Sequence, residues 1–335
     1  MPATLSFRLY LPRHWPTWLM LGLLWCITRL PYAWQLATGR VLGQVALRIG
    51  KRRRHIAGTN LKLCFPELTN GQRQRLLAAH FDSLGIALVE FALSWWGSDN
   101  KLEPLSQIHG LGHLQSALQE GHGVILLSAH FTTLEIGGRL LSRHAPFHVL
   151  YRENRNPVIE HVMNRARTRL YEKAIPHVDM KGLLKSLKQN RAVWFAPDQD
   201  HGISNAVFAP FFDIPAATLT TTSRIAALSG ARVVPFFQRR LPDNRGYVLE
   251  LMPALTDFPG DDAAIDTAQL MQLIEAQGLI GPGSIVVADN VGDIFSPGEY
   301  LDYVRNCGRY ESENRPAKIE YTSVPDAVEI SVYRP

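Results

Sequence analysis

The stretch Gly123–Leu141, GVILLSAHFTTLEIGGRLL, constrains the fold more than any other part of the chain. Val124-Ile125-Leu126-Leu127 is a short, continuous aliphatic run, the signature of a strand buried on both faces. Ser128 and His130 end that run. Thr132 or Thr133 then stands where a side chain caps a helix running through Leu134, Glu135, Ile136 and Leu140. His130 therefore falls where a strand gives way to a helix, and Glu135 about one turn inside that helix. Residues five apart on one continuous helix diverge by roughly 140°, so the two converge only if His130 lies on the turn before it. A histidine held by a carboxylate at the end of a buried strand is suited to general-base chemistry. The alternative without chemistry is a histidine closing a strand beside a glutamate on a solvated helix face.

The surrounding chain repeats the strand-then-helix pattern. The periodic apolar positions of Asn70–Trp96 predict a long helix, and a shorter one is expected near Gly112–Gln119. Phe147–Tyr151 reads as a strand ending in Arg152-Glu153-Asn154-Arg155-Asn156-Pro157. An arginine at a strand end meets carboxylates, phosphates or a developing oxyanion well. An arginine-rich helix, Val158–Lys173, and a basic amphipathic one, Met180–Lys188, follow. Ala192–Ala196 is a third buried strand, ending at Pro197-Asp198-Gln199-Asp200-His201-Gly202. Oxygen-ligand metal loops carry more carboxylates than that segment, so no metal is expected there. Val207–Phe212 reads as an apolar loop and Ala216–Ser223 as a threonine-rich run of small residues. A helix at Arg224–Ser229 leads to a strand at Arg232–Phe237, and a hairpin over Arg239–Met252 turns at Asp243–Gly246. The expected fold is α/β: an open mixed sheet flanked by helices, with its site at the carboxyl ends of the strands. The chain has no GxGxxG, GxxxxGK[ST], GxSxG or HExxH, so nucleotide binding, serine-hydrolase and zinc-protease readings lose support.

The amino-terminal end has a different character. Trp15–Ile27, WPTWLMLGLLWCI, is almost wholly apolar; Arg29 and Pro31 interrupt, and Tyr32–Ala37 resumes. The first run is shorter than the about 20 residues of a standard span. With the second half it makes a span containing an arginine. Its aromatics and flanking arginines suit the membrane–water boundary. The expectation is a membrane anchor over residues 1–40, either one poor span or a deeply sunk interfacial helix; a buried amphipathic core helix is the alternative. Ten basic residues precede the first acid, Glu67, and Lys51–Arg54 lies beside the anchor. Such a cluster attracts anionic lipid heads. It lacks the interleaved aromatics and reading motif of a nucleic-acid patch, so no nucleic acid is expected. The three cysteines, Cys26, Cys64 and Cys307, match no metal or redox spacing and suggest a reducing compartment.

SAHFTTLEIGGR resembles the H-x4-[DE] motif of glycerolipid-type acyltransferases, with His130 and Glu135 in its two fixed places. HWPTWL, RLPY, KRRRHIAGTNLKLCFPEL, YRENRNPVI, WFAPDQDHG, FAPFF, AATLTTTS and SGARVVPFF are similar to segments of the lipid A biosynthesis acyltransferases, above all the lauroyl and palmitoleoyl transferases. The similarity spans about residues 8–277. It implies an acyltransferase domain over 41–277 that moves a fatty acyl chain, lauroyl foremost, from acyl carrier protein to a hydroxyl of a Kdo-bearing lipid A precursor. It also implies a place on the cytoplasmic face of the anionic inner membrane, and no cofactor. Carried over to this chain, His130 is the base and Glu135 its orienting carboxylate. Arg152 serves the oxyanion or an acceptor phosphate, and Asp198, Asn154 and Asp200 lie on the substrate side. Phe208, Phe211 and Phe212 line an acyl tunnel or pack an ordinary core.

Two departures stand out. Gln199 and His201 replace the usual histidine and tyrosine of the family loop, DHDYG. After Gln277 the family's aromatic, arginine-rich close is missing, and residues 278–335 form a divergent tail with nine acids against five bases. A switch that abrupt suggests a frameshifted or recombined end. A related transferase acting on phosphatidate or another glycolipid, and an inactive membrane-bound homologue, are the other readings.

Overall fold

A computed structural model of the chain describes residues 7–198, 206–212, 214–276, 310–318 and 325–333. In chain order the helices and strands are α1 (Trp15–Ile27), α2 (Tyr32–Ile49), α3 (Lys51–Cys64), α4 (Asn70–Trp96), α5 (Asp99–Leu102), β1 (Ser106–His109), α6 (Leu111–Gln119), β2 (Val124–Leu127), α7 (Leu134–Leu141), β3 (His148–Tyr151), α8 (Pro157–Leu170) and β4 (Lys173–Pro176). They continue with α9 (Met180–Lys188), β5 (Ala192–Phe195), β6 (Ala206–Phe211), β7 (Ile214–Leu219), α10 (Thr221–Ser229), β8 (Arg232–Arg240), β9 (Tyr247–Leu251), α11 (Ala263–Ala276), β10 (Tyr310–Lys318) and β11 (Pro325–Tyr333). Two compact units share the chain. The first comprises Met1–Ile49, Ala78–Ala196 and Ile225–Phe258, and the second Gly50–Leu77, Pro197–Arg224 and Pro259–Pro335.

The first unit is built on a seven-stranded sheet in the order β1-β9-β8-β2-β5-β3-β4. Strands β8, β2, β5, β3 and β4 run parallel, while β9 is antiparallel to β8 and parallel to β1. The sheet is mixed and open, flanked by helices, as its strand-helix alternation requires. β2 is central, with Val124–Leu127 all buried. A four-residue strand without a polar side chain is stable only there, covered on both faces. Ile136, Leu140 and Leu141 of α7 pack into the same core as Leu114 of α6, Phe236 of β8 and Leu249 of β9. The hairpin expected at Arg239–Met252 is the β8–β9 connection, with Phe236 opposite Leu251 and Arg240 opposite Tyr247. Its turn runs through Asp243, Asn244 and Gly246, all at positive φ. A side chain at Gly246 would meet the Leu105 carbonyl.

Three expectations change. The helix after Asn156 stops at Leu170, and Lys173–Pro176 forms the edge strand β4 rather than continuing it. Tyr171 leaves the helix in an extended conformation, and Pro176, which cannot donate to a ladder, fits an edge strand. The segment expected as a loop, Val207–Phe212, is strand up to Phe211 and turns at Phe212: β6 pairs with β7 in an antiparallel hairpin of the second unit. There α11 packs along β6, and Phe65 meets Phe212 edge-on with ring centroids 5.0 Å apart. The third change concerns the amino-terminal run, which divides at Thr28–Pro31 into α1, of 13 residues, and α2, of 18. The described helix with the length and composition to cross a membrane is α4, not α1, and the most apolar part of α4 is 56% buried within the fold. α1 lays Leu21 against Val158 and Ala166 of α8 and Trp95 of α4, and leaves Trp15, Leu19 and Leu23 outward at 62%, 67% and 58% exposure.

His148, at the start of β3, carries a pH dependence. Its ring is buried, with Nε2 3.5 Å from Glu172 Oε2, while Arg191 Nη2 lies 3.3 Å from Glu172 Oε1. Burial pushes the His148 pKa below its ordinary 6.5; Glu172 opposes this, and Lys173 and Arg191 reinforce it. Above pH 6.5 the ring is neutral folded or unfolded and contributes no pH dependence. As pH falls below 6.5 the unfolded chain binds the proton first, so stability declines until the folded pKa is passed. One proton limits the slope to about 1.4 kcal/mol per pH unit. His148→Phe is expected to flatten the fall of the unfolding midpoint between about pH 6.5 and 5, measured by circular dichroism. An unchanged slope would assign the dependence elsewhere.

Candidate active site

β2 delivers the chain to the site in a defined direction. The Ser128 backbone N–H donates to Phe195 O at 2.9 Å, extending the β2–β5 ladder one residue past Leu127. The chain then turns sharply: Phe131 N–H donates to Ala129 O at 2.9 Å and Leu134 N–H to Phe131 O at 3.0 Å. His130 lies on that turn, before the first residue of α7. Its ring is exposed and stands edge-on to Trp194 of β5, centroids 5.9 Å apart at 85°. The His130 side chain is thus exposed at the carboxyl end of a fully buried strand.

The expected threonine cap takes another form. Thr133 occupies the N-cap position of α7 but makes no side-chain cap. Its hydroxyl instead donates to Gln238 O of β8 at 3.0 Å, while Thr132 Oγ1 lies 2.8 Å from Ser83 Oγ of α4. These threonines tie the turn to neighbouring elements rather than capping its helix. Phe131 adds a ring contact to Phe237, 6.2 Å between centroids. At the far end of α7, Asp99 pairs with both Arg139 and Arg143, so the helix is held at both ends.

Glu135 sits on the first turn of α7, where the helix dipole favours a carboxylate. Its side chain is 14% exposed and faces Arg167 of α8, with Nη2 3.7 Å from Oε1. Burial pushes its pKa up, and Arg167 pulls against that shift. Arg167 also lies over the Tyr151 ring at 5.1 Å. Burial, followed by the Glu135 charge, holds the Tyr171 hydroxyl protonated far above its ordinary range. A Cβ on Gly138 would approach that hydroxyl to 2.8 Å, so the paired glycines of α7 let the helix settle against its neighbours.

Arg152 follows β3 and is exposed. Asn154 shapes the turn into α8: its N–H donates to Glu160 at 2.7 Å and its side-chain oxygen accepts from Asn156 N–H at 2.9 Å. Asn156 caps α8 by accepting from Val158 and Ile159, and its amide donates to Thr17 of α1 at 3.0 Å. Asp198 is half-buried, three residues beyond β5, and belongs to the second unit. Asp200 lies outside the described residues. Phe211 and Phe212 of the second unit pack edge to face at 4.8 Å. The residues that sequence reasoning missed are Arg167 and Trp194. Arg167 was legible as one of several arginines on a helix, but nothing local marks which of them faces a buried glutamate.

The chain matches the family model of the bacterial lipid A biosynthesis acyltransferases over residues 4–278. It is 37% identical over 278 residues to the lipid A biosynthesis lauroyltransferase of Escherichia coli K12, covering 83% of this chain and 91% of the relative. The palmitoleoyltransferase of the same organism is 36% identical over 272 residues, 81% of this chain and 89% of its own length. The myristoyltransferase is more distant, 28% over 257 residues, or 76% and 80%. The matched region contains β2, the turn and α7 entire and ends one residue into the divergent tail. The chain belongs to the bacterial lipid A biosynthesis acyltransferases and is an acyltransferase of lipid A biosynthesis.

Proposed function

We propose that the protein transfers a fatty acyl chain, lauroyl foremost, from acyl carrier protein to a hydroxyl of a Kdo-bearing lipid A precursor. The observation that carries this reading is the exposed His130 on the turn between buried β2 and α7, with Glu135 directly following on that helix. His130 takes the proton of the acceptor hydroxyl as its oxygen attacks the thioester carbonyl. The tetrahedral intermediate collapses, the C–S bond breaks, and the thiolate of the carrier's prosthetic arm leaves with the proton from His130. Glu135, which faces Arg167, stabilises the imidazolium in between. Arg152 serves the oxyanion or an acceptor phosphate. Asn154, Asp198 and Asp200 act on the acceptor side.

Exposed apolar residues near the amino terminus support the membrane part of this reading. Trp15, Leu19 and Leu23 of α1 and Trp34, Val41 and Ile49 of α2 are exposed large apolar residues, the kind of surface that marks an interaction site. They suit an interfacial attachment, and the exposed basic run Lys51–Arg54, next in sequence, suits the anionic cytoplasmic leaflet of the inner membrane.

The test is acyl transfer by the full chain in detergent from lauroyl-, myristoyl- and palmitoleoyl-carrier protein, with Kdo2-lipid IVA and lysophosphatidate as competing acceptors. Lauroylated Kdo2-lipid IVA is the expected product. Exclusive use of the phospholipid acceptor overturns the reading, and no product from either points to the tail beyond Gln277. Within this scheme Arg167→Gln is expected to lower kcat at pH 7 by about ten- to a hundred-fold. Losing Arg167 lets burial raise the Glu135 pKa further, so the acid limb of the pH–rate profile should move to higher pH. An unmoved limb would show that Glu135 does not depend on Arg167.

A further inference from the structure

Glu90 is the most deeply buried carboxylate among the described residues, 1% exposed in the carboxyl-terminal half of α4. Arg240, at the end of β8, meets it with two parallel hydrogen bonds, Nε to Oε1 and Nη2 to Oε2, both 2.8 Å. The Tyr247 hydroxyl donates to Oε1 at 2.7 Å. Replacing such a buried pair by apolar side chains of similar volume often costs nothing, so stability alone does not explain its presence.

The remaining contact of Arg240 suggests what it does. Its Nη1 donates to Ser83 Oγ at 3.2 Å, and Ser83 Oγ lies 2.8 Å from Thr132 Oγ1. Thr132 is two residues past His130 and three before Glu135. A continuous run of hydrogen bonds therefore leads from Tyr247 and Glu90 through Arg240 and Ser83 into the turn that carries His130. The neighbouring ties of that turn, Thr133 to Gln238 and Phe131 to Phe237, reach the same end of β8. A guanidinium held along one edge by a bidentate carboxylate is a rigid donor. The turn has no regular ladder beyond Ser128, so its geometry depends on such ties.

We infer that Glu90 and Arg240, acting through Ser83 and Thr132, are positioning residues that set the His130 turn for acyl transfer. This rests on the reading of His130 as the base. Misplacing a catalytic group by about 1 Å costs up to a hundred-fold in rate, which makes the effect measurable without touching the base itself.

The test compares wild type, Thr132→Val, Thr132→Ser, Ser83→Ala, the Ser83→Ala/Thr132→Val double variant and His130→Ala. All are full chains in detergent with lauroyl-carrier protein and Kdo2-lipid IVA. Thr132→Val keeps the side-chain shape and is expected to lower kcat about ten-fold or more, with KM for both substrates within about two-fold. Thr132→Ser, which restores the hydroxyl, should rescue most of that loss. Ser83→Ala should match Thr132→Val, and the double variant should be no worse than the stronger single one, because both remove one link. Turnover within two-fold of wild type for both single variants overturns the inference, as do losses that multiply in the double variant. If His130→Ala is inactive while Thr132→Val turns over normally, the link is refuted and the base survives. An active His130→Ala refutes both.

Discussion

Substituting His130 by alanine is expected to reduce acyl transfer by about three orders of magnitude while leaving the fold intact. A positioned general base supplies roughly 10²–10⁴ in rate, and nothing else on the turn has the chemistry to replace an imidazole near neutral pH. The side chain is exposed at the end of β2, so removing it opens no core cavity. Surface changes of this kind stay within about 0.5 kcal/mol of wild-type stability. Initial rates with lauroyl-carrier protein and Kdo2-lipid IVA, beside thermal unfolding of the same preparations, separate the two effects. An inactive variant with an unchanged midpoint is the expected pair of results. Retained turnover would remove His130 from the mechanism and leave the family membership untouched.

The largest structural effect is expected at Gly85. There α2 and α4 cross backbone to backbone: a Cβ on Gly85 would stand 2.1 Å from Gly39 O and 2.3 Å from Gly43 N. The contact is reciprocal. A Cβ on Gly43 would meet Phe81 O at 2.1 Å, and one on Gly39 would meet Ile86 Cα at 2.6 Å. Main-chain atoms cannot rotate aside as side chains do, so the helices must separate. Separation uncovers Leu36, Phe81 and Ile86, all buried at the crossing, and moves α4, which carries Ser83 and Glu90. Overpacking in an ordinary core costs about 1–3 kcal/mol. Gly85→Leu forces apart a whole interface and is expected to exceed about 4 kcal/mol, a class reserved for such failures. Urea unfolding followed by tryptophan fluorescence would measure it. Gly22→Ala is the matched control: nothing lies within 4 Å of that position in α1, and the helix should gain up to about 1 kcal/mol. Equal midpoints for the two variants would refute the crossing as a determinant of stability.

How much of this was readable without coordinates depends on where the information lies. β2 stands out because a parallel strand buried on both faces is an uninterrupted apolar run, and β3 and β5 because they are short runs of β-branched and aromatic residues that end in polar segments. α4 and α9 stand out by period. The strands β1, SQIH, and β4, KAIP, do not, because they lie at the edges of the sheet, where partial exposure removes the apolar pattern. β6 carries phenylalanine and proline in place of an alternation and, among the described residues, pairs with β7, so its ladder follows from the hairpin and not from its composition.

The same division applies to the candidate site. The amino-acid sequence by itself determined that a histidine ends a buried strand, that a glutamate follows one turn into a helix, and that apolar and basic residues crowd the first third of the chain. These are local facts, written in consecutive residues, and local propensity and burial suffice to express them. Only the tertiary structure decided that Arg167 of α8 is the partner of Glu135, that Thr132 and Thr133 are ties and not caps, and that Glu90 lies against Arg240. Those pairings join residues 32 to 150 positions apart. Each depends on the register of the sheet and the rotation of helices about their axes. Such quantities are set by the packing of the whole core, which no stretch of sequence encodes on its own.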